Sequence, residues 1–194
     1  MFSNSGGYEF DDLERAVLQS ILESREINIS QLSVKLGEPK ANIHRRIQHL
    51  EDELIIKSQY MGRQRVVSVS PAAIDKVRGV LGIVPTARVL ALASTRHAEK
   101  LLDYFKPHET ILLTTNPDIE LEIPNVRKVI LPDNLGECYK CVYELIREEK
   151  VVKNAYVAIG ITGNGTASIA AGMVARDTAT PILIVEDGEI RQIL

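Results

Sequence analysis

Apolar residues recur at helical spacing through the first third of the chain, then condense into short continuous runs, and that change of period divides the sequence. Leu13, Ala16, Val17 and Ile21 follow a helical period behind Asp11 or Asp12, either of which can cap it. Ser30 is expected to cap a short second helix over 31–36, stopped by Gly37, whose missing β-carbon suits a left-handed cap. Pro39 reads as a first-turn residue of a third helix running to about Glu53, with Ile43, Ile47, Leu50 and Leu54 on one stripe. Two β-type runs, 55–58 and 66–69, then flank a hairpin tip at 59–65 in which Gly62 supplies a positive φ.

Ser70-Pro71 predicts a fourth helix over 72–78 ending at Gly79, and residues 79–86 read as a linker. Domains 1–78 and 87–194 are therefore expected. In the second, strand-like runs at 88–93, 110–114, 126–131 and 155–159 interleave with helical stretches at 97–105, 136–150 and 166–175. Residues 181–185 and 189–194 pair around Asp187-Gly188, a strong hairpin signal. Short, wholly apolar strands between helices argue an α/β fold, a mostly parallel sheet covered on both faces.

Composition narrows the function. With 194 residues, 45% of them hydrophobic, the chain can bury a real core, and it contains no apolar run of membrane-spanning length. The opening residues lack the charged-then-apolar pattern of a secretory leader, so a cytoplasmic protein with no membrane partner is expected. A net charge of −3 excludes a generic polyanion binder. The segment 40–65 is nevertheless basic, with six Lys/Arg against three acids, all three adjacent at Glu51-Asp52-Glu53. Opposite the apolar stripe of the third helix lie Ala41, Arg45, Gln48 and Asp52, flanked by Asn42 and His49, while Arg46 sits toward the buried side.

Three helices followed by a basic-tipped hairpin resemble the winged helix-turn-helix modules of prokaryotic transcriptional regulators. The stretches that carry the resemblance are 14–23, 29–37 and 43–55, within a match over about residues 10–70. The resemblance implies double-stranded DNA as a partner and a third helix in the major groove, where Arg suits guanine and Asn or Gln suits adenine. Lys40, Asn42, Arg45, Arg46, Gln48 and His49 are the expected contacts from that helix. Arg63 and Arg65 would meet phosphate or the minor groove from the hairpin. His44 is read as part of the same face or of the helix surface.

In parallel sheets ligands sit beyond the carboxyl ends of the strands. Three such ends carry small polar residues here: Ser94-Thr95-Arg96, then Thr114 and Asn116, then Thr162-Gly163-Asn164-Gly165-Thr166. Glycines let a backbone approach a ligand, and the following helix offers unpaired N–H groups to an anion. Gly160 to Thr166 has the glycine spacing of a phosphate-binding P-loop, but Thr166 stands where the lysine belongs, so NTP hydrolysis is not expected. The strand–Thr-Gly-Asn-Gly-Thr–helix segment resembles that of the CRISPR-associated Rossmann fold (CARF), with Ser94-Thr95-Arg96 as the loop that completes the pocket. That family is often fused to winged helices and binds cyclic oligoadenylates across a homodimer interface. Asn164 lengthens the family motif by one residue, Ala167 replaces its usual Lys or Arg, and the module order is reversed.

Other chemistry is thinly represented. Cys138 and Cys141 have redox-motif spacing near a helix start, which would lower a thiol pKa, but without a thioredoxin context they read as ordinary helical cysteines. A zinc site would need two further ligands that His97 and His108 are not placed to supply. No nucleophile–base set can be assembled. The expectation is a homodimeric, non-enzymatic regulator without a cofactor or metal, sensing a nucleotide-type effector. Sensing of a sugar phosphate or other small anion, or cleavage of cyclic oligoadenylate, stands as the alternative.

Overall fold

The computed structural model describes residues 9–193, and the chain divides into two compact units, Met1–Val84 and Pro85–Leu194. Residues 1–8, with the leader reading, and the last residue of the closing hairpin lie outside the described residues.

The first unit begins with α1 (Asp12–Ser24), whose N-terminus is closed by Asp11 and Glu14, each side chain accepting from the other's backbone N–H. This reciprocal box satisfies two donors that a helix start otherwise leaves bare. β1 (Ile27–Asn28) leads into α2 (Ile29–Leu36), and here Asn28, not Ser30, is the cap. The Asn28 side chain accepts from the Gln31 N–H at 2.9 Å, and the Gln31 side chain accepts from the Asn28 N–H at 3.1 Å. Pairing of β1 with β3 holds Asn28 extended, which starts the helix earlier and places Ser30 inside it. Gly37 closes α2 at φ +67, as expected.

Helix α3 spans Lys40–Asp52, with Pro39 one step earlier than expected, at the cap position. Ile43, Ile47 and Leu50 are fully buried, whereas Leu54 is 76% exposed. The helix has ended by then, and Leu54 sits in a turn at φ +57 while Ile55 takes the inward place. β2 (Ile56–Met61) and β3 (Gln64–Val69) pair antiparallel up to Met61 opposite Gln64, so the tip is only Gly62-Arg63 rather than seven residues. The ladder continues through polar Gln59 and Tyr60 because backbone pairing does not require an apolar face at a sheet end. α4 (Ile74–Leu81) starts later than expected, runs through Gly79 and stops at Gly82, φ +67. Helix thus occupies the first residues expected to be linker. Three helices and a hairpin packed on them make a winged-helix arrangement.

The second unit runs β4 (Ala87–Leu92), α5 (Ala98–Phe105), β5 (Glu109–Thr114), β6 (Val126–Ile130), α6 (Leu135–Arg147), β7 (Ala155–Gly160), α7 (Thr166–Asp177), β8 (Ile182–Glu186) and β9 (Glu189–Ile193). A π-helical turn, Glu148–Val152, prolongs α6. The six strands lie in the order β6-β5-β4-β7-β8-β9, parallel except for β9, which returns antiparallel through Asp187-Gly188, both at positive φ. Alternate residues of the apolar strands serve opposite faces. Val89, Ala91, Val157 and Ile159 pack in a cluster with α6 and α7, and Leu90, Leu92 and Ala158 pack with Leu101 and Phe105 of α5. The chain leaves β4 toward β5 on one side and returns to its other side with β7. That reversal opens a crevice at the carboxyl ends of the strands.

Polar groups inside this unit are paired. Lys150 is buried and its ammonium donates to the carbonyls of Thr178 (2.9 Å) and Ala179 (3.3 Å) at the end of α7, where a cation complements the helix dipole. The buried Glu149 carboxylate accepts from Arg127 and Lys153. Burial, with a hydrogen bond donated to Asp177 at 2.8 Å, pushes the Tyr139 phenol up to about 12. Its folded pKa lies above the unfolded value near 10, so its contribution is complete below pH 10 and is lost as pH rises toward 12. Denaturant unfolding of the wild type should show an alkaline decline over that window that is smaller in Tyr139→Phe. An identical decline in both proteins would show that the phenol makes no such contribution.

Candidate functional site

The outward face of α3 exposes Lys40, Ala41, His44, Arg45, Gln48 and Asp52. Arg45 donates to the Asn42 side chain at 3.0 Å, and Asn42 donates to Glu38 at 3.1 Å, a chain that orients the guanidinium along the helix. Three of the expected DNA contacts, two on α3 and one on the hairpin, are turned to acids of the same unit. Arg46 pairs with Asp11 at 2.7 Å, His49 meets buried Glu14 at 3.0 Å, and Arg65 pairs with Glu51 while its Nε donates to Ser58 at 3.0 Å. The box that caps α1 places Asp11 and Glu14 beside α3, so two of the three ties follow from how α1 begins. Arg63, on the hairpin turn, remains exposed.

Between α2, the start of α3 and the hairpin lies a cleft of about 730 Å³. Lys35, Lys40, His44, Tyr60, Arg63 and Arg65 face it, and no Asp or Glu is among its lining residues. Tyr60 was not singled out from sequence, and His44 was read only as part of the DNA face or of the helix surface. Their signals were faint: His44 lies one turn beyond Lys40, and Tyr60 stands opposite Arg65 in the ladder.

The second constellation sits at the strand ends of the other unit, a pocket of about 260 Å³. Ser94, Thr95, Thr114, Asn116, Gly163, Asn164, Gly165 and Thr166 all line it, joined by Ser168, whose hydroxyl donates to the Ala93 carbonyl at 3.3 Å. Arg96 and Thr162 are not in the lining. The Thr162 hydroxyl instead donates to the Arg96 carbonyl at 2.6 Å, lashing the first loop to the third. No lining side chain is ionisable, so any charge bound there would meet hydroxyls, amides and backbone.

The glycines of the third loop differ in purpose. A β-carbon on Gly160 would lie 2.7 Å from Leu92 Cδ2 and 2.8 Å from Leu101 Cδ1, so packing requires glycine. Gly163 and Gly165 have no positive φ; a β-carbon on Gly163 would make only ordinary contacts near 3.5 Å, and one on Gly165 would meet nothing within 4 Å. Gly165 is also the N-cap residue of α7 and provides no side-chain cap. The fold does not ask for glycine at either position, and a helix start is left bare beside a pocket.

Cys138 is buried with its thiol toward the Thr166 carbonyl at 4.0 Å, and Cys141 is exposed. Burial, then the neighbouring Cys141, push the Cys138 thiol up. The lowering expected from the helix start does not occur, because desolvation of the thiolate outweighs it. Among the described residues no group of three or more His, Cys, Asp or Glu could hold a metal, and no helix is long and apolar enough to cross a membrane.

No family model and no curated protein matches the chain. Among solved structures it is similar to the antimony-specific transcriptional repressor AntR, at 16% identity over 38% of this chain and 67% of that one, with a TM-score of 0.34. It is also similar to ZitR of Lactococcus lactis, a zinc-responsive MarR family member (16%, 55% of this chain and 65% of that one, TM-score 0.33). A third is the adhesin competence repressor AdcR of Streptococcus pyogenes (11%, 50% and 64%, TM-score 0.33). The chain thus spans about two thirds of each of these proteins, and at such scores the functional reading rests on its own residues.

Proposed function

We propose that the chain is a DNA-binding transcriptional regulator, with the winged-helix unit reading duplex DNA and a Rossmann-like second unit binding a nucleotide-type effector and dimerising. The observation that carries the DNA reading is the outward face of α3, where Lys40, His44, Arg45 and Gln48 stand exposed on a helix whose other face is anchored by Ile43, Ile47 and Leu50. A rigid helix presenting Arg and Gln fits the major groove, where Arg pairs with guanine and Gln with adenine. A homodimer doubles the half-sites and so multiplies affinity. Selection of bound duplexes from a random-sequence pool, followed by mobility shift, tests the reading; failure to enrich any sequence would defeat it.

For the effector, support comes from the bare N-terminus of α7 beside the open glycines and hydroxyls of the strand-end pocket. Backbone N–H groups and hydroxyls suit isolated phosphodiester groups, and a lining without Lys or Arg disfavours a triphosphate, so a cyclic oligoadenylate is the preferred ligand and a sugar phosphate the rival. Binding would shift the dimer's geometry and with it the spacing of the two α3 helices, through a coupling of about 1–3 kcal/mol. The reading is of a sensor without catalysis: labelled cyclic tetra-adenylate should be recovered intact, and linear product would replace sensing by cleavage.

Gly165→Asp separates stability from binding. Aspartate is a better N-cap than glycine and its charge favours a helix start, so thermal stability should rise by a few tenths to about 1 kcal/mol. The same carboxylate would occupy the N–H groups and repel an anion, so binding of cyclic tetra-adenylate should be lost by calorimetry. Retained affinity would place the ligand elsewhere.

A further inference from the structure

The cleft beside α3 carries more than the fold accounts for. The protein has a formal charge of −3, yet the cleft's lining holds Lys35, Lys40, Arg63 and Arg65 with His44 and no carboxylate. Arg65 is committed to Glu51 and Ser58, and Lys35 to Glu23 at 2.8 Å. Lys40 and Arg63 line the cleft and are exposed, and Tyr60 is 75% exposed.

We infer that this cleft seats one sugar-phosphate strand of the duplex, held by Lys40, His44, Tyr60 and Arg63. Arg65 is then a positioning residue that sets the cleft's width and not a DNA contact. The inference rests on the DNA-binding reading above and specifies how that site grips its partner. A duplex surface is two grooves separated by a ridge of phosphates. A helix lying in the major groove and a hairpin beside it across a concave gap must straddle such a ridge, so the gap receives the strand between them. Phosphate oxygens are bound by Lys, Arg and Tyr side chains, the types gathered here. Arg65 lies on β3, its guanidinium on Glu51 of α3 and its Nε on Ser58 of β2, and both partners of the ion pair are only about a quarter exposed (24% and 22%). It ties the hairpin to the recognition helix, and that tie fixes the gap.

The test uses the full chain, a duplex selected from a random pool and an unselected duplex of equal length, with Kd measured across KCl concentrations. Each phosphate contact contributes about 0.9 to the slope of log K against log salt. Lys40→Gln and Arg63→Gln should each reduce the slope by about that amount on both duplexes. Arg65→Gln should weaken binding to the selected duplex about 3- to 10-fold with the slope unchanged. Glu51→Gln gives the sharpest contrast. If Arg65 were a contact, freeing it from Glu51 would tighten binding; as a brace, its release should weaken binding as Arg65→Gln does. Thermal melts confirm that each variant is folded. Unchanged slopes in Lys40→Gln and Arg63→Gln while the selected duplex still binds, or tighter binding by Glu51→Gln, would overturn the inference. A wild type that selects no duplex would instead remove the DNA reading on which it stands.

Discussion

Replacing Arg45 and Arg63 together by alanine should lower affinity for a selected duplex by at least about 30-fold, from losses of about 1–3 kcal/mol at each site. Arg45 stands exposed on α3, held along the helix by Asn42, where a planar fork can meet a guanine edge. Arg63 stands on the turn of the hairpin, on a different element. Contacts that share no partner add nearly independently. Neither residue supports the core, so the melting temperature should stay close to that of the wild type. The two single variants should differ in kind. Arg45→Ala should reduce the preference for selected over unselected duplex, while Arg63→Ala should weaken both alike. An unchanged mobility shift by the double variant would count decisively against DNA reading by this face.

The largest effect on folding is expected at Gly160. Valine there would push its β-carbon to within 2.7 Å of Leu92 and 2.8 Å of Leu101, and its two methyl groups would need further room. The backbone cannot give way, because Gly160 lies in β7 between β4 and β8, in register with Leu92 and Leu183. Leu92 and Leu101 are fully buried, so each would have to move against the neighbours packed around it. Overpacking of this kind costs about 3 kcal/mol, which corresponds to a loss of roughly 6–12 °C in melting temperature for a chain of this size. Gly165→Asp, five residues away, should move stability in the opposite direction. An unchanged melting temperature for Gly160→Val would mean that this end of the sheet is loosely packed, and the distinction drawn between the two glycines would fall.

That distinction marks where reading the chain as a string of residues stops working. In sequence, Gly160, Gly163 and Gly165 belong to one glycine-rich run. In the folded unit, Gly160 serves the packing of β7, whereas the other two border the pocket. The polar loops show the same limit. Their approach at the strand ends could be expected from the α/β pattern, but the Thr162 bond that withdraws it from the pocket joins residues 66 positions apart. On the third helix the outward position of Arg45 and Gln48 was legible from the 3.6-residue period. The fate of Arg46, His49 and Arg65 was not, since a side chain's charge identifies what it can pair with but not which acid will lie within reach.

By itself the sequence determined the elements and their polarity. Gly37, Gly62 and Asp187-Gly188 mark their turns, Asp11 or Asp12 starts α1, and the apolar stripes of α1 and α3 and the wholly apolar strands declare what must be buried. Each depends on neighbours a few positions away, through backbone hydrogen bonds and steric limits that act within a turn or a ladder step. Tertiary structure alone decided which cations remained available to a partner, where the acid-free cleft opened, that Asn28 rather than Ser30 capped α2, and which glycines the core required. Those outcomes depend on distances between elements remote in sequence, and such distances exist only once burial of the apolar faces has brought the elements together.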